Sequence, residues 1–273
     1  MWARLRELWD YRELIRNLVV RDLKVRYKNS VLGIAWSWLN PLLMMLVLTV
    51  VFTVMQGRNT DMRAFHVFVL IGILSWNFFS ASVVGATGSI VNNAHLIKKV
   101  YFPRVALPVS VVLSNMLNFV IALPVFFALA FLSGVPITGR VELILWLPVV
   151  LLAQVLFTIG IGLILSTVNV FYRDMQIIME VVMLAWFFVT PIFYPIEAVP
   201  ETAHLLGLTL DLRRLLYILN PMASVISSYR DVLYWGRTIG PDFFLRTVVT
   251  AMAVLLIGYA VFERYARRFA EEV

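Results

Sequence analysis

The chain has 273 residues, of which 61% are hydrophobic and only 14% charged. A soluble domain carries about 25% charge, so a single water-soluble core is excluded and the composition is that of an integral membrane protein. The net charge of +7 comes from basic residues beside apolar stretches, which fits an anionic membrane surface rather than nucleic acid, and the absence of cysteine excludes disulfides, thiol catalysis and thiolate metal sites.

In chain order, residues 5–29 have helical periodicity. Leu8, Tyr11, Leu14, Ile15, Leu18, Val19 and Val25 recur at steps of three and four, and Asp10, Glu13, Asn17, Arg21, Lys24 and Lys28 fall opposite. The expectation is an amphipathic helix on a membrane surface or against a partner, within a cytoplasmic lead-in of residues 1–35. Residues 36–55 carry no charge; at 1.5 Å per residue they reach roughly 30 Å, enough for the hydrocarbon core. The lysines and arginines ahead of this span place the N-terminus in the cytoplasm. No cleavable signal is expected, because the charged lead-in is too long and the first span is too long for a signal's apolar region and lacks a cleavage site.

A polar turn at 56–63 leads to a second span at 65–88. Residues 89–104 carry Lys98, Lys99 and Arg104 and no acid. A third span, 105–132, contains Pro108 and Pro124, whose freed carbonyls neighbouring helices can satisfy. An outer turn (133–142), a fourth span (143–168), an inner turn (169–176, NVFYRDMQ) and a fifth span (177–194) follow. The last span is 243–262, ahead of a cytoplasmic tail at 263–273. This topology puts fifteen of the 23 lysines and arginines inside and seven outside, with Arg246 opening the last span. The twofold bias supports six spans with both ends cytoplasmic.

The stretch 195–242 holds two shorter apolar helical patterns, 202–219 and 222–235, broken by Asp211, Arg213 and Arg214 and by Arg230 and Asp231. Segments of that length are interfacial or re-entrant rather than spanning. The expectation is a re-entrant hairpin dipping into the outer leaflet and lining the outer end of a pathway; the alternative is an amphipathic pair flat on the outer surface. The fold class is therefore all-α integral membrane: six transmembrane helices over 36–262, an N-terminal amphipathic interface helix, and a re-entrant outer helical hairpin before the last span. No internal repeat of hydropathy marks an inverted-repeat carrier.

No catalytic constellation is present. His66, His95 and His204 fall outside, inside and outside, and no metal-ligand spacing occurs. Residues 134–141 (GVPITGRV) have the glycine spacing of a phosphate loop, but Arg140 and Val141 replace its lysine and hydroxyl residue. ATP-driven work therefore needs another chain, which would hold the ATP and magnesium; this chain is expected to bind no cofactor of its own. Glu180, near the inner end of the fifth span, is either a functional intramembrane acid or a structural partner of Arg173 and Gln176. Ala81, Gly85 and Ser89, and Thr158, Gly162 and Ser166, recur every fourth position and allow close helix approach, either within the bundle or at a dimer seam. Asn115, Asn118 and Gln154 are amides inside spans, either interhelical bonds or the wall of a polar conduit. Trp36, Trp38, Trp76 and Trp146 are expected near span ends as an interface belt. Trp186, Phe187, Phe188, Phe193 and Tyr194 cluster in the outer half of the fifth span, where they either stack on sugars along a pathway or pack. The loop 92–104 (NNAHLIKKVYFPR) either docks in a cytoplasmic partner, meets the diphosphate of a lipid carrier through its cations and Lys28, or simply sets topology.

Residues 26–41 (RYKNSVLGIAWSWLNP), 96–104 (LIKKVYFPR), 169–174 (NVFYRD), 190–194 (TPIFY) and 219–222 (LNPM) stand in this order between the spans. In them the chain resembles the membrane subunit of type 2 ATP-binding-cassette exporters of O-antigen, capsule and teichoic acid, and the resemblance covers nearly the whole chain. It implies a homodimer in the bacterial cytoplasmic membrane, paired with two copies of a cytoplasmic ATPase. The cargo would be a polysaccharide or teichoic acid polymer on undecaprenyl diphosphate. His95, Lys98, Lys99, Arg104, Arg173 and Asp174 would serve coupling and gating. Lys28, Lys98, Lys99 and Arg104 would contact the lipid diphosphate, and Asn115, Asn118, Trp186, Phe187 and Tyr194 would line the pathway. A drug or lipid exporter of the same superfamily, a membrane-embedded glycosyl- or acyltransferase, and a proton-coupled carrier using Glu180 stay open as alternatives.

Overall fold

The computed structural model describes residues 10–28, 30–55, 62, 64–136, 140–205 and 208–273. The expected start of the lead-in helix at Leu5 and nearly all of the turn at 56–63 lie outside the described residues. Helix α1 is Arg12–Tyr27. Its Leu18 is buried with Tyr11, Leu14 and Ile15 packed alongside, against Ile97, Phe102 and Phe262. Val25, expected on that apolar face, is instead 66% exposed. Helix α2 is Trp36–Val50 and continues through one wider turn, Val51–Met55. Helices α3 (Phe65–Gly88), α4 (Ala94–Lys99), α5 (Ala106–Leu132), α6 (Arg140–Phe171) and α7 (Met175–Val189) follow.

Helix α7 departs from the expected fifth span. Thr190 precedes Pro191 and is extended, φ −85° and ψ 135°, as a residue before proline prefers. The span expected at 177–194 therefore stops at Val189, leaving 15 residues, about 22 Å of helix. Among the described residues, five segments are long and apolar enough to cross a membrane: Gly33–Thr53, Phe65–Gly88, Ala106–Leu132, Leu143–Phe171 and Pro241–Ala266. Helix α7 is a sixth, shorter apolar helix.

The connector that follows is not wholly helical. The first of its two patterns, expected as a helix over 202–219, opens as an antiparallel ribbon, β1 Thr202–Leu205 with β2 Leu208–Asp211, in the register Thr202↔Asp211. Helix α8, Leu212–Leu219, then starts on Asp211, whose carboxylate accepts from the Arg214 amide at 2.9 Å. Helix α9, Pro221–Leu233, has Asn220 at its cap and proline at its first turn. Met222, Val225, Ile226, Tyr229, Val232 and Leu233 are all buried, so α9 is packed among the long helices, against α3 and α6. Helices α10 (Pro241–Ala266) and α11 (Phe269–Glu272) complete the chain.

Helix α3 is apolar around its whole circumference and is the axis of the bundle, touching α2, α5, α6, α7 and α9. Small residues set the closest approaches. A Cβ on Gly162 would lie 2.9 Å from the Ala86 Cβ, so that row brings α6 close to α3, whereas a Cβ on Gly85 would lie 2.9 Å from Val111 on α5, so the Ala81–Gly85–Ser89 row does not face the α6 row. The tightest crossing is between α6 and α10: a Cβ on Gly258 would lie 2.2 Å from the Gly160 carbonyl oxygen. The bundle has two distinct ends. At one, here called the terminal end, α1, the 90–105 segment, Val170 and the C-terminal Phe262 and Phe269 share one apolar cluster. At the far end, Ile192, Phe193, α9 and Ile239 join the main core. Gly258→Ala is expected to lower stability by at least about 1–3 kcal/mol, read as a fall in thermal midpoint of the purified protein in detergent. Gly240→Ala, where the nearest atom is 4.0 Å away, should lower that midpoint by less, through the weaker helix cap alone.

Candidate functional site

At the terminal end the chain builds a basic cleft. Ile97 is buried and anchors α4, which leaves His95, Lys98 and Lys99 exposed. Phe102 and Val105 are buried on the descent into α5, with Arg104 half-buried between them. Opposite lies the end of α10. Between the two is a cleft of about 960 Å³ lined by Lys98, Lys99, Arg104, Arg264 and Arg267, with Glu263 among them. Arg264 and Arg267 count in the sequence only as tail charges; their place opposite Lys98 is visible only once α10 is laid against the 97–105 segment. Arg173 and Asp174 are exposed in the turn after α6, at the same end, where Phe171 meets Tyr265 with ring centroids 5.7 Å apart. Lys28 is exposed on a separate groove along α1, so the cations expected to share a diphosphate divide between two places. The Arg21 guanidinium donates to Asn93 Oδ1 at 3.1 Å and ties α1 to the segment leading into α4.

The amides inside the bundle take different roles. Gln154 is fully buried and donates to the Ser75 carbonyl at 2.9 Å, joining α6 to α3. Asn115 accepts from the Arg26 guanidinium at 2.6 Å. Asn118 accepts from Ser37 Oγ at 2.6 Å and from the Tyr27 hydroxyl. These two therefore bind α1 and the start of α2 to α5. Glu180 is exposed on α7, and among the described residues it forms no ion pair with Arg173.

The aromatic residues expected along a pathway are gathered at the far end, with their polar atoms committed. The Trp186 indole donates to Asn220 Oδ1 at 2.9 Å, and Asn220 Nδ2 donates to Thr190 Oγ1 at 2.9 Å. Phe187 is 8% exposed, and the Tyr194 hydroxyl donates to the Val189 carbonyl at 3.0 Å. Trp76 is 4% exposed and meets Phe79, Trp186 and Phe187 edge-on, so it belongs to the core rather than to an interface belt. Among the described residues, no hydrogen bond or ring pair links Trp186, Phe187 or Tyr194 to Asn115 or Asn118.

Arg230, counted from the sequence among the outer charges, is 4% exposed. Its two terminal nitrogens donate to the carbonyls of Pro191 and Ile192, each at 2.5 Å, and its guanidinium carbon lies 3.5 Å from the centre of the Phe68 ring. Among the described residues no carboxylate pairs with it. An arginine stays charged when buried, and here the backbone carbonyls released by the end of α7 and one aromatic face serve as its counter-charge. Gly72 makes room for the arrangement, since a Cβ there would lie 2.8 Å from the Ile192 oxygen and 3.0 Å from Arg230 Nη2.

A bundle of long apolar helices around a buried axis, with charge confined to its ends, defines a multi-pass membrane protein. Residues 13–234 match the family model described as ABC-2 type transporter, and the chain belongs to that family. It is 37% identical to the O-antigen export system permease protein RfbA of Myxococcus xanthus, over 98% of both chains. It is 32% identical to the protein of the same name from Klebsiella pneumoniae, over 97% of this chain and 95% of the relative. The polysialic acid transport protein KpsM of Escherichia coli is 23% identical, over 91% of this chain and 92% of its own.

Removing the charged fork should release the far end. Arg230→Met is expected to cost about 3 kcal/mol or more, because buried carbonyls lose a charged donor. Arg230→Lys, which keeps the charge but not the fork, should fall between it and wild type in the thermal midpoint of the purified protein.

Proposed function

We propose that the chain is the permease subunit of an ATP-driven exporter that moves a polysaccharide across the bacterial cytoplasmic membrane. The observation that carries this is the near end-to-end correspondence with O-antigen export permeases. On this reading the glycan, or a teichoic-acid-like polymer, travels on undecaprenyl diphosphate. Two copies of the chain form the conduit, and two copies of a separate ATPase supply the energy. The terminal end faces the cytoplasm, which its share of the basic residues supports. The ATPase docks on α4 and the basic cleft, with His95, Lys98, Lys99, Arg104, Arg173 and Asp174 in the contact and Arg264 and Arg267 beside them. The connector from Pro195 onward lies in the outer leaflet as a re-entrant element; burial of α9 among the long helices favours that over a pair lying flat on the surface.

The direct test is reconstitution of the chain with its ATPase in vesicles. ATP hydrolysis should rise with a polyprenyl-diphosphate-linked glycan and not with small hydrophobic drugs; the reverse pattern refutes the assignment. In cells, Lys98→Glu with Lys99→Glu should abolish glycan export while the protein stays in the membrane at wild-type amount, and undiminished export would remove that loop from coupling. Single cysteines at His95 and Arg173 should be shielded from an impermeant thiol reagent added outside, whereas one at Arg237 should react.

A further inference from the structure

Two of the apolar spans carry an exposed amide. Asn77 lies midway along α3, a helix otherwise buried over most of its length, and Asn40 lies near the start of α2. Among the described residues neither side chain has a hydrogen-bond partner. An amide turned to hydrocarbon is costly, so such groups face a polar partner or a wet cavity. Both line the same cleft, about 660 Å³ in volume, together with Arg26, Asn115 and Asn118. Trp36, which is 46% exposed, stands at its edge. Asn115 is nine residues along α5 from Ala106, about 14 Å from the terminal end of that helix. A cation and several amides are thus held at the depth of one leaflet.

The cation is the specific element. Arg26 spends one terminal nitrogen on Asn115 Oδ1, and the described residues give the rest of its fork no other hydrogen bond. Among the described residues Arg26 forms no ion pair, Asp22 one turn away being paired with Arg21, and a guanidinium oriented by one neutral acceptor is suited to a phosphate oxygen. Amides next to it suit the hydroxyls of a sugar, and an exposed indole suits a sugar's apolar face.

We propose that this cleft seats the headgroup of a lipid-linked glycan, with Arg26 on the phosphate and Asn40, Asn77 and Trp36 on the first sugar. The assignment rests on the export function proposed above, and it differs in place from the basic cleft at the terminal end. That cleft, lined by residues 97–105 and the end of α10, offers cations without amides. The far-end aromatic cluster is spent on internal bonds.

The test is native mass spectrometry of the detergent-solubilised complex with its ATPase. The probes are a short polyprenyl diphosphate bearing one N-acetylglucosamine, the same lipid without the sugar, and free inorganic diphosphate. Arg26→Gln is expected to weaken binding of the first probe about tenfold or more, as loss of a charge-assisted contact does. Asn77→Trp, which fills the cleft from an exposed position, should do the same. Arg26→Lys, which keeps the charge but not the fork, should fall between Arg26→Gln and wild type, and the exposed control Arg16→Gln should stay within about threefold of wild type. The sugar-free lipid should bind more weakly than the first probe, and free diphosphate more weakly still. Wild-type affinity in Arg26→Gln overturns the proposal. If that variant fails to assemble, Asn77→Trp decides: wild-type affinity there overturns it equally, including the case in which that substitution only separates two copies of the chain. Binding that follows the expected order in a complex whose ATP hydrolysis ignores the lipid would instead sink the export function and leave the cleft assignment standing.

Discussion

A carbonyl freed from its helix inside lipid has no water to turn to and needs another donor. This chain creates that need when α7 stops at Val189, and meets it with Arg230, which takes up the oxygens of Pro191 and Ile192. Because Arg230 arrives on α9, the break in α7 and the burial of α9 depend on each other. Without the fork, the Pro191–Ile192 segment would have unpaired carbonyls; without the freed carbonyls, α9 would carry a bare charge into the core. Asn220 adds a second tie, since one side chain caps α9, accepts from Trp186 and donates to Thr190. The far end is therefore held by directional polar bonds laid over an apolar core.

The terminal end is built on the opposite principle. Its apolar cluster is smaller, and Lys98, Lys99, Arg264 and Arg267 stand exposed around an open cleft, while Arg21 and Arg26 of α1 are bonded to Asn93 and Asn115. Like charges gathered this way repel one another and favour an acidic partner or an anionic surface. The same physical rule, that charge inside a bilayer must be paired and charge outside it need not be, thus produces a closed end and an open one from a single sequence.

Much of this was legible in the sequence, and the exceptions have physical causes. The long spans follow from apolar runs, and the convergence of the lead-in, residues 89–104, the turn at 169–176 and the tail on one end follows from the distribution of basic residues. The early stop of α7 was written in Thr190-Pro191, but an apolar run continuing to Tyr194 outweighed it. The ribbon at 202–211 was misread because its leucines also satisfy helical spacing; the glycine at 207 between two β-compatible runs was the available signal. Arg230 could not be placed from sequence at all, since its partners are 38, 39 and 162 positions away and nothing adjacent distinguishes it from a loop charge. Trp76 is hidden from sequence reasoning for a similar reason, because which faces of α3 are buried is a property of the bundle and not of the helix. Asn40 and Asn77 could have been found, as amides in runs that are otherwise apolar.

What joins the two kinds of chemistry at the terminal end is α1. Its Arg21 is bonded to Asn93, directly ahead of α4, and its Arg26 and Tyr27 are bonded to Asn115 and Asn118 inside the bundle. Five residues of helix separate Arg21 from Arg26, about 7.5 Å along the axis. The segment ahead of α4 is thus tied by Arg21 to α1, which is itself bonded to the bundle. If α1 moves as a rigid helix, the guanidinium of Arg26 moves too, and the floor of the amide-lined cleft changes with it. Leu18 shares one apolar cluster with Ile97 and Phe102. The segment leading into α4 and the amides of α5 are in this way joined through one short helix and two sets of polar bonds.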